Sequence, residues 1–476
     1  MEQQINELIM NKWMKLMLLL TVFCSLFFLR CTMEKTADTP VQPWSENPWF
    51  WEYKGKPVLL LGASNDDNLF QWPAQTLVPH LDQMKQTGAN YVRNTMSDRK
   101  DQGFELYPFK MLENGKYDLN QWNEEYWNRF DFFLTETGKH DIIVQIEVWD
   151  RFDYSRDHWP GHPYHPWNNV NYTSGESKLD SLYPNHPSRN EQPFFFTTPR
   201  QQNNEVVLKY QEKFVEKMLS YTLQYDHILY CMDNETSAEE EWAVYWAEFI
   251  LTRAQEAGRE IFVTEMWDNW DLTTAHHKRT FDHPERYAFC DVSQNNQKKG
   301  QIHWDNFQWV RSYVAQQPRP LNTVKTYGAD GGTHGSTKDG LERWWRHLLG
   351  GVASARFHRP PSGLGLSELS MNSVKIAREI EKEVNFWELM PGNDLLSERE
   401  ENEAFLTAIP GETYVLFFSD GGEVGLNLCD TKARFKIKWF DVRKGKLAAE
   451  VELKGGEVVT LSAPGTLEWV ALISKS

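Results

Sequence analysis

At 476 residues and 55.9 kDa the chain can bury a large core and hold more than one domain. Its formal charge of −17 and pI near 5.4 exclude a nucleic-acid partner, which would require basic stripes. Acidity of this size otherwise serves solubility.

Residues 16–29 (LMLLLTVFCSLFFL) are apolar and follow Lys12 and Lys15, the pattern of an export signal. The run is long enough for the apolar segment of a leader and short for a membrane span. A leader over 1–31 and a polar tether over 32–44 are expected, sending the chain to a bacterial periplasm or outer membrane. Cys31 stands where a bacterial lipoprotein is acylated, although Phe28-Leu29-Arg30 lacks the small residues that lipoprotein processing prefers. A lipid anchor at Cys31 is the one membrane attachment the sequence offers. Beyond it, Cys231, Cys290 and Cys429 are odd in number, widely spaced and set in apolar sequence. They are expected to be buried free thiols, with neither a disulfide framework nor metal-ligand spacing.

Trp49 to Tyr53, the Lys54-Gly55-Lys56 turn and Pro57-Val58-Leu59-Leu60-Leu61-Gly62 predict a hairpin feeding a first buried strand. Strands are predicted at 58–61, 91–93, 142–146, 228–232, 261–264, 287–292, 322–326 and 353–357. Helix-period segments at 78–87, 119–138, 205–224, 238–257, 305–316 and 339–349 alternate with them, and a last helix at 368–389 follows strand eight. The stretch after the fifth strand is poorly helical. Ser237 and Ser367 are the expected N-caps of two of these helices.

Near-continuous apolar runs suit parallel strands buried on both faces. Eight of them, each followed by a helix or a helix-sized crossover, predict a (β/α)8 TIM barrel over 45–392. An open doubly wound sheet is disfavoured, because Ala63-Ser64-Asn65-Asp66-Asp67 stands where a Gly-rich phosphate loop would follow strand one.

After Pro391-Gly392-Asn393 the pattern changes to period two, at 404–408, 413–418, 424–428, 434–439, 447–453, 457–462 and 469–474. Pro410-Gly411, Asp420-Gly421-Gly422 and Gly455-Gly456 join these segments, predicting a small antiparallel β-sandwich over 393–476. Between strand three and its helix lies the long loop 151–204, rich in His, Pro, Trp, Tyr and Asn. Its His158, His162 and His165 are interleaved with prolines that spoil ligand convergence, so a rigid aromatic wall is expected there rather than a metal site.

In a (β/α)8 barrel the functional side chains project from the C-terminal strand ends. Those ends carry Asn65, Asp66 and Asp67; Arg93 and Asn94; Glu147, Trp149 and Asp150; Asp233, Asn234 and Glu235; Glu265, Trp267 and Asp268; Asp291 and Asn295; Lys325, Tyr327 and Asp330; and Arg356, His358 and Arg359. Carboxylates, amides and indoles crowded on one rim suit a sugar, whose ring faces are apolar and whose edges are hydroxyls. The list lacks the cationic cluster of a phosphate site and the His-plus-acid set of a metal site. Neither a metal nor another cofactor is therefore expected.

His227-Ile228-Leu229-Tyr230-Cys231-Met232-Asp233-Asn234-Glu235 is a buried strand ending in Asn-Glu. In this respect the chain resembles the clan of retaining glycoside hydrolases that places its acid/base Glu after Asn on strand four. It looks closest to apiosidase-like bacterial proteins, which share the Lys56-Pro57 start and Gly62 of the first strand and a small C-terminal β-domain. The resemblance implies that Glu235 is the acid/base, that Asn234 binds the hydroxyl next to the reacting carbon and that Arg93 steadies the nucleophile. It further implies hydrolysis of O-glycosidic bonds in a complex plant or algal glycan.

The clan's nucleophile, a Glu ending strand seven, has no counterpart in Asn322-Thr323-Val324-Lys325-Thr326-Tyr327-Gly328. Hydrolysis with retention needs a second carboxylate about 5 Å from the first, and inversion one about 6.5–9.5 Å away. Glu265, one strand over, is the leading substitute, ahead of Asp291 and Asp330. Asn94, Asp66, Trp149, Trp267, Asp291, Asn295, Lys325, Tyr327, His358 and Arg359 complete the expected substrate-binding set. Two other readings stay open: a non-catalytic carbohydrate-binding barrel, and a uronate polysaccharide lyase using Lys325, Tyr327 and Arg356.

Overall fold

The computed structural model describes residues 39–476 apart from Asp98 and Asp101. The expected leader, Cys31 and most of the tether lie outside the described residues.

Eight strands form one parallel sheet: β1 (Leu60–Ala63), β2 (Tyr91–Thr95), β3 (Ile143–Asp150), β4 (Ile228–Asn234), β5 (Val263–Thr264), β6 (Cys290–Asp291), β7 (Leu321–Thr326) and β8 (Ser354–Phe357). Their order is β5-β4-β3-β2-β1-β8-β7-β6, so the first and last strands of the chain path lie side by side. No backbone ladder joins the two-residue strands β5 and β6 among the described residues. Thr264 Oγ1 spans that seam by donating to the Phe289 carbonyl at 2.8 Å. The barrel is nearly closed.

The helices between the strands are α1 (Ala74–Thr87), α2 (Glu124–Lys139), α3 (Glu205–Thr222), α4 (Glu240–Glu256), α5 (Ala275–Phe281), α6 (Gly300–Tyr313) and α7 (Thr337–Leu349), and α8 (Glu368–Ile380) follows β8. The poorly helical stretch after β5 holds the seven-residue α5. Part of the segment expected to open α2 is strand instead, because Tyr117–Trp122 pairs with Phe109–Met111 as an outer hairpin. Asn123 then caps α2 by accepting from the Glu125 amide. Ser367 caps α8 as expected, whereas α4 starts two residues late and Ser237 turns to the Asp268 carboxylate.

Gly62 is dictated by packing. A Cβ there would lie 2.3 Å from the Tyr91 carbonyl and 3.1 Å from Arg356 Cβ, so β1 can sit between β2 and β8 only without a side chain. Below the barrel, the hairpin Trp51–Tyr53 and Lys56–Val58 is joined by Gln42–Pro43. Its Trp51 plugs the floor, fully buried, with Nε1 donating to Asn322 Oδ1 at 3.0 Å. Cys231 and Cys290 are buried; Cys429 is exposed, contrary to expectation, because it sits past the end of a strand in a surface turn.

The C-terminal segments form a six-stranded and a three-stranded antiparallel sheet, which enclose a second core of Leu406, Leu416, Phe418, Leu426, Trp439 and Ile473 among others. The alternate face of the larger sheet packs on α7. Trp345 stacks on Phe417 at 5.9 Å between ring centroids, with the planes 9° apart, and Phe405 meets Trp304 of α6. This period-two switch of faces is why alternate residues of the 404–418 hairpin belong to different cores.

Candidate active site

A cavity of about 150 Å³ opens at the C-terminal ends of the barrel strands, lined by Asp67, Arg93, Arg99, Phe152, Asn234, Glu235, Lys325, Tyr327, His358, Arg359 and Ser362. Glu235 follows directly on β4 and has left-handed backbone, with φ of +52°. A non-glycine residue held there costs about 1–3 kcal/mol, a strain that commonly accompanies functional positions. Flanking contacts hold the turn: the Thr236 amide donates to the Met266 carbonyl, and the Asp268 amide to the Thr236 carbonyl, both at 2.8 Å.

Across the mouth, Lys325 on β7 donates from Nζ to Glu235 Oε1 and to Asn234 Oδ1, each at 2.6 Å. Tyr327 Oη adds a bond to the same carboxylate oxygen at 3.1 Å. The Tyr327 ring is stacked on His334 and edge-on to His358, with centroids 4.6 and 4.5 Å away. Burial pushes the Glu235 carboxyl upward, but the Lys325 ammonium and its hydrogen bond outweigh burial and hold it down at about 2. An aromatic surround that raises this pKa, as a resting general acid would need, is not what stands here. Glu235 is ionised because β7 sets the Lys325 ammonium against it.

The second group centres on Asp67, just past β1. Its carboxylate accepts from Arg93 at 3.0 Å, from Arg356 at 2.8 Å and from Arg359 at 2.9 Å. Burial alone would raise Asp67; the guanidiniums hold it well below the usual carboxylate range. Arg93 on β2 also grips Glu147 of β3 at 2.5 Å. Burial pushes the Glu147 carboxyl up to about 7, with Arg93 opposing. Arg356 is fully buried, donating to Ser64, to the Val324 and Asp66 carbonyls and to Asp67, so it clamps β8 to β7 and β1 and has no face toward the cavity. The cationic cluster absent from the sequence reading is thus assembled from β2, β7, β8 and their loops.

The expected residues divide cleanly. Asn234, Glu235, Arg93, Lys325, Tyr327, His358 and Arg359 line the one cavity. Glu265 does not: it is 1% exposed, and Oε1 accepts from the Asp233 and Met266 amides inside the barrel. Burial, with the Asp233 carboxyl adding to it, raises Glu265 well above the usual carboxylate range. Its strand ends at Thr264 as expected, and Glu265, the next residue, turns its carboxyl inward to those two amides instead of over the rim.

Asp291 is also internal, bonded to Ser293 and pushed by burial to about 6. Asp330 lies on the surface, accepting from the Thr337 amide. Asn94 accepts from the Phe70 amide and Asn295 donates to the His303 carbonyl, both as buried scaffold. Asp66 turns away from the cavity to Trp72 Nε1 at 2.8 Å.

Trp149 is packed among Trp242, Trp246, Phe194 and Phe214, and Trp267 bonds Thr280 behind the rim. Neither indole lines the cavity, because Trp149 is turned outward to α3 and α4 and Trp267 to α5. The long 151–204 loop is aromatic as expected, with His162 buried between Tyr154, Trp159 and Tyr164 and pushed by burial to about 3. Of that loop only Phe152 lines the cavity.

Three wall residues escaped the sequence reading: Arg99, which bonds Asp150 at 2.5 Å, Phe152 and Ser362. His334, also unforeseen, stacks on Tyr327 behind the lining. The charged Arg99-Lys100 pair after strand two was the available signal for the first. Asp268 was noted at its strand end, and the structure places it beside the Glu235 turn. Burial first, and the Glu235 charge second, raise its pKa.

No family model and no curated protein matches the chain. Solved structures do. A glycoside hydrolase family 5 protein from Bacteroides vulgatus superposes with a TM-score of 0.60 at 14% identity, over 91% of this chain and 93% of that one. A second structure, described as a glycoside hydrolase, gives 0.61 at 14% identity over 92% and 97%. The chain shares the barrel fold of these two structures. At this identity the likeness speaks for architecture, including the C-terminal β-sheets, since nearly the whole of both chains is covered.

Proposed function

We propose that the protein is a glycoside hydrolase that cleaves an O-glycosidic bond in the barrel-mouth cavity, with Glu235 as the catalytic carboxylate. The observation that carries this reading is the Asn234-Glu235 pair at the end of β4, turned into an open cavity by a left-handed residue and flanked by Lys325 and Tyr327. Glu235 is ionised in the resting site, which suits attack on, or stabilisation of, a developing oxocarbenium ion. Asp268, whose pKa is raised by burial and by the Glu235 charge, then takes over the proton donation that the resemblance assigns to Glu235. The resemblance to apiosidase-like proteins supports a complex plant or algal glycan, and the apolar leader supports export with Cys31 as a lipid attachment point.

The test is release of reducing sugar or aryl alcohol from a panel of oligosaccharides and aryl glycosides, by wild type and by Glu235→Gln. Turnover that falls by about 10²-fold or more in the variant is expected. Lys325 in the place of a second carboxylate favours one competing reading, a carbohydrate-binding barrel. Binding of the panel without any turnover would establish that reading instead. A product absorbing in the ultraviolet would point to elimination.

A further inference from the structure

We infer that the cavity takes a terminal sugar ring carrying a carboxylate or a sulfate ester, with that anion held against Arg359 and Arg99. The inference rests on the sugar-site reading above and adds the charge of the substrate.

In a chain of net charge −17, the cavity wall carries Arg93, Arg99, Lys325 and Arg359 against the carboxylates Asp67 and Glu235. Asp67 is a single charge shared by Arg93, Arg356 and Arg359, and Glu235 is engaged by Lys325. Glu147, Asp150 and Asp153 are each at most 2% exposed and stand behind the arginines, and Asp268, beside Glu235, is outside the cavity lining. Of the charged side chains in the wall Arg359 is the most exposed, 27% against 17% for Glu235 and 15% for Arg99, so an entering ligand meets that guanidinium first. Low-dielectric walls of one predominant sign concentrate an opposite charge.

The cations are not equally exposed, and Arg99 is already engaged by Asp150 and Asp153. The Arg93 and Lys325 side chains are 2% and 1% exposed, whereas those of Arg99 and Arg359 keep 15% and 27%. Arg359 reaches Asp67 through Nε, and among the described residues its two terminal nitrogens have no hydrogen-bond partner. A guanidinium presented in this way matches the paired oxygens of a carboxylate or sulfate. The cavity of about 150 Å³ lies below the roughly 300 Å³ where pockets for drug-sized ligands begin, so it suits one ring at a chain end.

The test titrates glucuronate, galacturonate and mannuronate, the 6-sulfates of glucose, galactose and mannose, and the neutral parent sugars into the full chain by ligand-observed NMR. At least one acidic sugar is expected to bind about tenfold or more tighter than its neutral parent, the scale of one charge-assisted pair. Whether the tightest ligand is a uronate or a sulfate identifies the anion. That margin should shrink in Arg359→Ala and also in Arg359→Lys, which keeps the charge and loses the fork.

Neutral sugars binding as well as every acidic one, no acidic sugar binding, or a margin unchanged in both Arg359 variants would overturn the inference. Acidic sugars that bind while none of their aryl glycosides is cleaved would leave it standing and remove the hydrolase reading.

Discussion

Lys325 and Glu235 meet across the barrel mouth, Nζ to Oε1 at 2.6 Å, although they come from β7 and β4. The lysine side chain is 1% exposed and the glutamate 17%, so the pair is largely dry. Each charge is tolerated because the other is present. The same contact sets the protonation of the site.

Glu235→Ala should lose turnover and also stability. It leaves the Lys325 ammonium buried with only Asn234 Oδ1 as acceptor, and breaking such a pair costs about 3–5 kcal/mol. Glu235→Gln retains an acceptor and should lose less. Urea unfolding of the two variants beside wild type checks the order.

Because the folded-state pKa of Glu235, at about 2, is depressed below the ordinary 4.5, its contribution to stability is fully present above about pH 4.5. It is lost as the pH falls toward 2 and amounts to about 3 kcal/mol. Acid unfolding of wild type should show this loss, and Glu235→Gln should show a flatter curve between those values. The reverse slope would mean that Lys325 does not hold the carboxylate ionised.

Removing the cation should move the titration. In Lys325→Met, burial acts on Glu235 without its main opponent, so the carboxyl pKa rises. The acid limb of kcat/KM should shift upward by at least one pH unit, about the 1.4 kcal/mol of a modest charge pair. An unshifted limb would assign that ionisation to another group.

The two β5-loop carboxylates should separate by function. Asp268→Asn should slow substrates with poor leaving groups far more than activated aryl glycosides, the mark of a lost proton donor. Glu265→Ala leaves the Asp233 and Met266 amides without their acceptor, costing about 1–3 kcal/mol of stability. Its turnover should not respond to azide. An azide-dependent gain, with a glycosyl azide product, would return Glu265 to the reaction.

Trp345→Ala should weaken the union of barrel and C-terminal sheet. Its fully buried ring lies on Phe417, and loss of a buried aromatic costs about 3–5 kcal/mol. Thermal unfolding measures the loss.

Much of this was written in the order of residues. Apolar runs bounded by helix-period segments determined eight parallel strands, and period-two segments after Pro391 determined the antiparallel sheets, because backbone hydrogen bonding and burial act locally along the chain. The Asn-Glu ending of β4 was legible for the same reason. Side-chain direction at the rim was not. Glu265 follows its strand and Trp149 lies near the end of its own, yet neighbouring positions of a period-two strand face opposite sides. Glu265 turns into the barrel while Trp149 turns out to the helices. Nor could sequence gather Arg93, Arg99, Lys325 and Arg359, scattered over more than 260 positions, into one cavity wall. Their approach depends on barrel closure, with β8 set beside β1, and only that closure gives Asp67 its guanidinium partners and Glu235 its lysine. The charge state of the site is a long-range electrostatic property, fixed by distances that the order of residues does not contain.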